Sequence, residues 1–141
     1  MTWKEFEDLA ETYLEKVLSD KFDRTEAITI GIHKDLDPHK FDLVSKTTIV
    51  ECKANSWTKS DHVPSAKMSI WNEAMYLFSL VKTDHRKILF VNRHFNPKKK
   101  MTLAEYYNKN HSHLIPPDVE IWEYNSDTGK HKVIRQKSTT A

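Results

Sequence analysis

Only two glycines, Gly31 and Gly129, occur in 141 residues. Loops that cradle phosphates are glycine-rich, so a P-loop or a dinucleotide fingerprint is excluded. The single cysteine, Cys52, excludes a disulfide framework and any cysteine-built zinc finger. No Gly-x-Ser-x-Gly elbow is present for a serine hydrolase. No apolar run approaches the length of a membrane helix. The start, Met-Thr-Trp-Lys-Glu-Phe-Glu, is amphipathic and acidic, unlike a signal peptide. A cytoplasmic protein without a membrane partner is the expectation. A large charge of one sign is also missing. The net charge is +2, so only the placement of the basic groups can argue for a nucleic-acid partner.

What is present is a globular composition, 38% hydrophobic and 11% aromatic, of a length that suits one domain over residues 1–141. Two short apolar runs, 41–45 and 48–54, flank Lys46-Thr47 and read as a β-hairpin. With a two-residue turn Ser45 pairs with Thr48, and Asp42 lies opposite Glu51. Opposed residues of an antiparallel pair share a face, and the strand period of two adds Lys53 to it. Carboxylates facing each other across a ladder repel, and burying them is costly unless a cation compensates. A hard divalent ion such as Mg²⁺ takes carboxylate oxygens and removes that cost.

Around the hairpin the periodicity gives further elements. Residues 2–19 form an amphipathic helix capped by Thr2, with Trp3, Phe6, Leu9, Ala10, Tyr13, Val17 and Leu18 on its apolar stripe. Glu7 and Glu11 are four residues apart, hence on one side of it. Residues 27–33 alternate as a strand with Ile28, Ile30 and Ile32 inward, and 34–38 form an acidic loop flanked by His33 and His39, read as exposed. A second helix runs from Pro64 to about Lys82, with Ile70, Trp71, Ala74, Leu77, Phe78 and Val81 inward and Asn72 and Tyr76 sharing another face. The continuous apolar run 87–92 is a buried strand reached by a crossover. Beyond it come the basic run Lys98, Lys99 and Lys100, a short helix over 102–108 capped by Thr102 with Glu105, and a strand over 119–124. A returning edge over 132–135 and a frayed tail over 136–141 close the chain.

Asp42 followed by Glu51-Cys52-Lys53, with Phe41 where the family has proline, resembles the core of the PD-(D/E)xK nuclease superfamily. The order helix, three strands, helix, strand over residues 2–92 is similar to that family's αβββαβ core. The resemblance implies an α/β, restriction-endonuclease-like fold, a central mixed sheet flanked by helices, with residues 93–135 a C-terminal extension carrying a small helix and hairpin. It also implies a metal-dependent nuclease that hydrolyses phosphodiester bonds, with DNA ahead of RNA. Asp42, Glu51 and the backbone carbonyl of Cys52 would hold Mg²⁺ or Mn²⁺, and Lys53 would act beside them. In Holliday-junction-resolvase-like and RecB-like members a glutamate of the first helix joins the metal. The spacing to Leu18 and Phe22 favours Glu11, with Glu7 as the rival. Asn72 and Tyr76 resemble a shortened form of the RecB-like Gln-x-x-x-Tyr pair. Lys98, Lys99 and Lys100 are the expected backbone contacts. Selection by dimerisation or by a partner protein stays open. The competing class is a nuclease-fold subunit that binds nucleic acid without turnover. The pair His111 and His113 has no third ligand in view.

Overall fold

A computed structural model describes residues 1–32, 37–60 and 62–138. Helix α1 (Trp3–Leu18) starts at Thr2, whose hydroxyl accepts the N–H of Glu5, and ends at Ser19 in the left-handed region. Strand β1 (Ile28–Ile30) pairs antiparallel with β2 (Asp37–His39). Strands β3 (Leu43–Val44) and β4 (Thr48–Lys53) make the expected hairpin, and helix α2 (Ser65–Ser79) leads to β5 (Arg86–Asn92). Strands β6 (Phe95–Asn96) and β7 (Met101–Thr102) form a small hairpin before helix α3 (Leu103–Asn110). Strands β8 (Val119–Asn125) and β9 (Lys130–Arg135) complete the chain.

The fold is α/β. Its central sheet is mixed, with five strands in the order β3-β4-β5-β8-β9. β4 and β8 both run parallel to β5, and the two edge strands are antiparallel to their neighbours. Alternation along the strands gives each face its own core. Val50, Ile88, Phe90 and Trp122 meet Phe6, Ala10 and Leu14 of α1. Ile49, Leu89, Val91 and Ile121 meet Trp71, Ala74 and Phe78 of α2 and Leu103 and Tyr107 of α3. Each fully buried Phe or Leu contributes about 1.5–3 kcal/mol. Ala10 is completely buried, and a larger residue there would lift α1 off the sheet.

Several expectations are corrected by this architecture. The inward stripe of α1 is Phe6, Ala10 and Leu14, while Trp3 and Val17 are exposed. A 16-residue helix is about 24 Å long and overhangs the roughly 20 Å of the six-residue β4, so its ends have no sheet to cover. The strand expected over 27–33 is not in the central sheet. Asp23 already bridges the outer edge of β3 through two backbone bonds to Val44, so β1 pairs instead with β2, where a loop was expected at Asp37-Pro38. Ile28 and Ile30 still bury themselves, against the α2 side of the sheet, but Ile32 is exposed. Residues 34–36 of that loop and His33 lie outside the described residues.

A further correction concerns residues 93–135. They are no appendage, because β8 pairs with β5 from Lys87↔Val119 to Asn92↔Tyr124, and β9 pairs with β8. Two of the five sheet strands come from this stretch, and Thr102 with Glu105 makes the expected capping box on α3. β9 is the returning edge expected over 132–135, two residues longer at its start, and it carries Lys130, Lys132 and Arg135. In the tail, the Ser138 N–H donates to the carbonyl of Pro117, so the chain is held at least that far.

Candidate active site

The hairpin has the predicted register. Leu43↔Val50 and Val44↔Ile49 pair, which sets Asp42 opposite Glu51. At that level the ladder gives way to side chains. The Asp42 N–H donates to Glu51 Oε1 at 3.1 Å, and the Cys52 N–H donates to Asp42 Oδ2 at 2.8 Å. Each carboxylate is thus locked to the other's strand through one oxygen, and these bonds do not take up the second oxygen of either. Lys53 lies on the Glu51 face, as strand period requires, with Nζ 3.8 Å from Glu51 Oε2. That separation is a loose ion pair and no hydrogen bond.

Two adjoining cavities meet at these residues. One of about 400 Å³ is lined by Trp3 and Glu7 of α1, Asp42, Cys52 and Lys53 of the hairpin, and Lys67 and Ile70 of α2. The other, of about 230 Å³, is lined by His39, Asp42, Glu51, Lys53, Ile70 and Glu73. Asp42, Lys53 and Ile70 belong to both. The N-terminal ends of α1 and α2 and the C-terminal end of β4 therefore converge, which is where parallel α/β sheets place their ligands.

Electrostatics mark the spot further. Burial, then the charge of Asp42, pushes the Glu51 carboxyl up to about 8, and Lys53 only partly offsets this. Burial also raises Asp42, against the Cys52 N–H, Lys53, Arg24 and His39. Burial and then Asp42 raise Glu7, although Arg24 donates to its Oε1 at 2.8 Å. Three carboxyls in one region are thus held above their ordinary values, Asp42 by desolvation, and Glu51 and Glu7 by desolvation together with the charge of Asp42. The Cys52 thiol is pushed well up by burial, then by Asp42 and Glu51, and its side chain packs with the α1-side core. A thiol held protonated in this way is a weak nucleophile.

Of the two first-helix glutamates, Glu7 lines the larger cavity and is raised by the charge of Asp42, whereas Glu11, which spacing favours, lies one turn on and lines neither cavity. Periodicity alone puts both on one side. The approach of the α1 N-terminus, and not its middle, to the end of β4 decides between them. Asn72 and Tyr76 are also not at the site. Asn72 Oδ1 accepts the Tyr107 hydroxyl at 2.9 Å, which ties α2 to α3, and Tyr76 is exposed. The α2 residues that reach the cavities are Lys67, Ile70, Glu73, Ala74 and Leu77, from a different face.

His39, expected as an exposed loop histidine, sits half-buried on β2 with its ring edge-on to Phe41, and lines the smaller cavity. Lys98, Lys99 and Lys100 occupy the β6–β7 turn, where Asn96 Oδ1 accepts the N–H groups of Lys98 and Lys99. All three are exposed, and none lines the cavities at Asp42. Sequence reasoning missed Arg24, which bridges Glu7 and Asp8, and Lys67. Arg24 comes from a loop with no periodic signal. Lys67 sits near the start of α2, an orientation visible only once α2 is docked. His111 stacks on Tyr107, and among the described residues no group of three or more His, Cys, Asp or Glu stands ready-made as a metal cage.

The chain was compared with known protein families, curated proteins and solved structures, and none of them matches. What the fold and the geometry define is an α/β domain in which two desolvated carboxylates and a lysine meet at the C-terminal end of β4, next to the middle strand β5.

Proposed function

We propose that the protein is a metal-dependent nuclease that hydrolyses phosphodiester bonds, with DNA the preferred substrate, on a restriction-endonuclease-like core. The observation that carries this reading is the assembly of Asp42, Glu51 and Lys53 at one cavity, with both carboxyls raised by burial, Glu51 also by the charge of Asp42, and each locked by a backbone N–H. Two locked, desolvated carboxylates are a hard-oxygen donor set that a divalent cation satisfies and that Lys53, at 3.8 Å, does not. Asp42, Glu51 and the Cys52 carbonyl would hold Mg²⁺ or Mn²⁺, with Glu7 as a third carboxylate. When bound, the ion neutralises these charges and lowers the pKa of water toward neutrality.

The chain's own residues have separable tasks. The Cys52 N–H and the Asp42 N–H orient the two carboxylates before any ligand arrives. Lys53 places an ammonium where negative charge grows on a phosphoryl group, in a site shielded enough for that charge to count. Its role in this reading is electrostatic. Arg24 restrains Glu7 without entering the cavity lining.

Nicking of supercoiled plasmid by the purified chain tests this reading. Mg²⁺ or Mn²⁺ should support nicking and excess chelator should stop it. Undiminished nicking in chelator would sink the metal site. Binding of the plasmid without nicking under any divalent ion would turn the reading to a non-catalytic binding subunit.

A further inference from the structure

Three of the four tryptophans, Trp57, Trp71 and Trp122, are buried, but Trp3 is 68% exposed. It opens α1 and lines the same cavity as Asp42, Lys53 and Glu7. Met1 and Ile70 on that lining are exposed as well, so an apolar lip stands beside a charged floor. Exposed apolar groups clustered beside a charged cavity mark a binding surface more often than a chance of composition. A third cavity, of about 370 Å³, shares Ala54, Asn55 and Lys67 with the first and continues to Ser56, Thr58 and Lys59. The track therefore carries an indole at one part and two exposed lysines with neutral hydrogen-bonding groups along the rest.

We propose that Trp3 is a stacking platform for an unpaired base, and that the site takes single-stranded or locally unstacked nucleic acid with its backbone running toward Lys67 and Lys59. This rests on the nuclease reading and names its substrate form. An indole offers a flat apolar face that any base can cover, while lysines meet the phosphates on either side. A base inside an intact duplex has its faces covered by its neighbours, so such a platform can act only on a base already out of the stack. Trp3 lies outside the core, so replacing it leaves the packing of α1 through Phe6, Ala10 and Leu14 untouched.

The test uses Trp3→Ala and Trp3→Phe variants of the full chain with an oligothymidylate, and with the duplex it forms with oligodeoxyadenylate. Ca²⁺ replaces Mg²⁺ to limit turnover. Acrylamide quenching reads Trp3 directly, because the other tryptophans are shielded. The oligothymidylate should protect Trp3 from acrylamide. Trp3→Ala should weaken its binding by about five- to a hundredfold and abolish its preference over duplex, and Trp3→Phe should restore most of both. Oligothymidylate binding that leaves Trp3 as accessible as before overturns the proposal. So does an equal loss for single strand and duplex, or protection of Trp3 by rising protein concentration alone, which would mean that a second copy covers the lip. Plasmid nicking without any Trp3 response removes the platform and leaves the nuclease reading. A chain that neither nicks nor binds removes that reading and the platform with it.

Discussion

Two glutamates on the central sheet are equally hidden and oppositely treated. Glu51 on β4 is 7% exposed and Glu120 on β8 is 5% exposed. Burial acts on both. Glu120 is met by Arg86, which donates from Nε at 2.5 Å and from Nη2 at 2.9 Å, and by the Trp122 indole at 3.1 Å. Those bonds bring its carboxyl below the ordinary value despite desolvation. Arg86 in turn lies over the Trp122 ring, and His131 stacks on that ring from β9. Glu51 has instead another acid opposite it and a lysine too far away for a hydrogen bond. Glu120 is a buried charge fully compensated within the fold, whereas Glu51, only partly offset by Lys53 and lying beside a cavity, is the kind of perturbed group that the proposed metal would satisfy.

The largest expected effect is at Glu51. Glu51→Gln should lower nicking by at least about a hundredfold, as loss of a central charge-stabilising group does. The same substitution should stabilise the metal-free chain at alkaline pH. Between about 4.5 and about 8 the folded protein holds a proton on Glu51 that the unfolded chain has released. Metal-free stability should therefore fall as pH rises through that window, by up to about 1.4 kcal/mol per pH unit, and Glu51→Gln should flatten the slope. Thermal melts from pH 5 to pH 8 in chelator read this. A wild-type curve that rises across the window would reverse the comparison.

Next is Lys53→Ala, expected to cut turnover by roughly a hundredfold while the Mg²⁺ dependence of nicking keeps its midpoint, since the ammonium is no ligand. A shifted midpoint with unchanged maximal rate would make Lys53 a partner of the carboxylates only. On the other side of the comparison, Arg86→Ala should destabilise the chain by about 1.5–3 kcal/mol, because Glu120 stays buried without its cation. Arg86 is partly exposed, so water recovers some of that loss. Nicking per folded molecule should be unchanged. Denaturant melts and activity of the same samples decide whether the two glutamates are as separate as their surroundings suggest.

The smallest contrast lies within α1. Glu7→Gln should cost about ten- to a hundredfold in Mg²⁺ affinity or rate, the scale for groups that support a metal site. Glu11→Gln should stay within about 0.5 kcal/mol of the parent in stability and close to it in rate. Mg²⁺ titrations of both variants settle the matter, and a crippled Glu11→Gln beside a normal Glu7→Gln would return the role to the residue that spacing favours.

The site was legible where the physics is local. A two-residue connection and the strand period put Asp42, Glu51 and Lys53 together, and both are properties of consecutive residues. Helix caps at Thr2 and Thr102 were legible for the same reason, since each is settled within four residues. The second helix and the buried strand at Arg86–Asn92 followed from apolar spacing, except that Ile70, read as inward, is exposed at the cavity, while the α/β class with a mixed sheet was what the family resemblance implied. Glu120 and Glu123 hid how central β8 is, because acids in a strand read as an exposed face when their partners are unseen. Arg86 lies 34 residues from Glu120, and Thr102 lies 21 from Glu123.

Tertiary packing alone decided the rest. Whether Glu7 or Glu11 meets the hairpin depends on how far α1 slides along the sheet, and both positions satisfy the same helical period. Which face of α2 looks at the site was set by Tyr107 of α3, which takes Asn72 away from it. The strand at Ile28–Ile30 left the central sheet because Asp23 occupied the edge of β3 first. Sequence determined the chemistry of each side chain and its neighbours one turn or one strand away. Docking of the elements determined which of those side chains share a cavity, because helix position and sheet order are fixed by contacts between residues far apart in the chain.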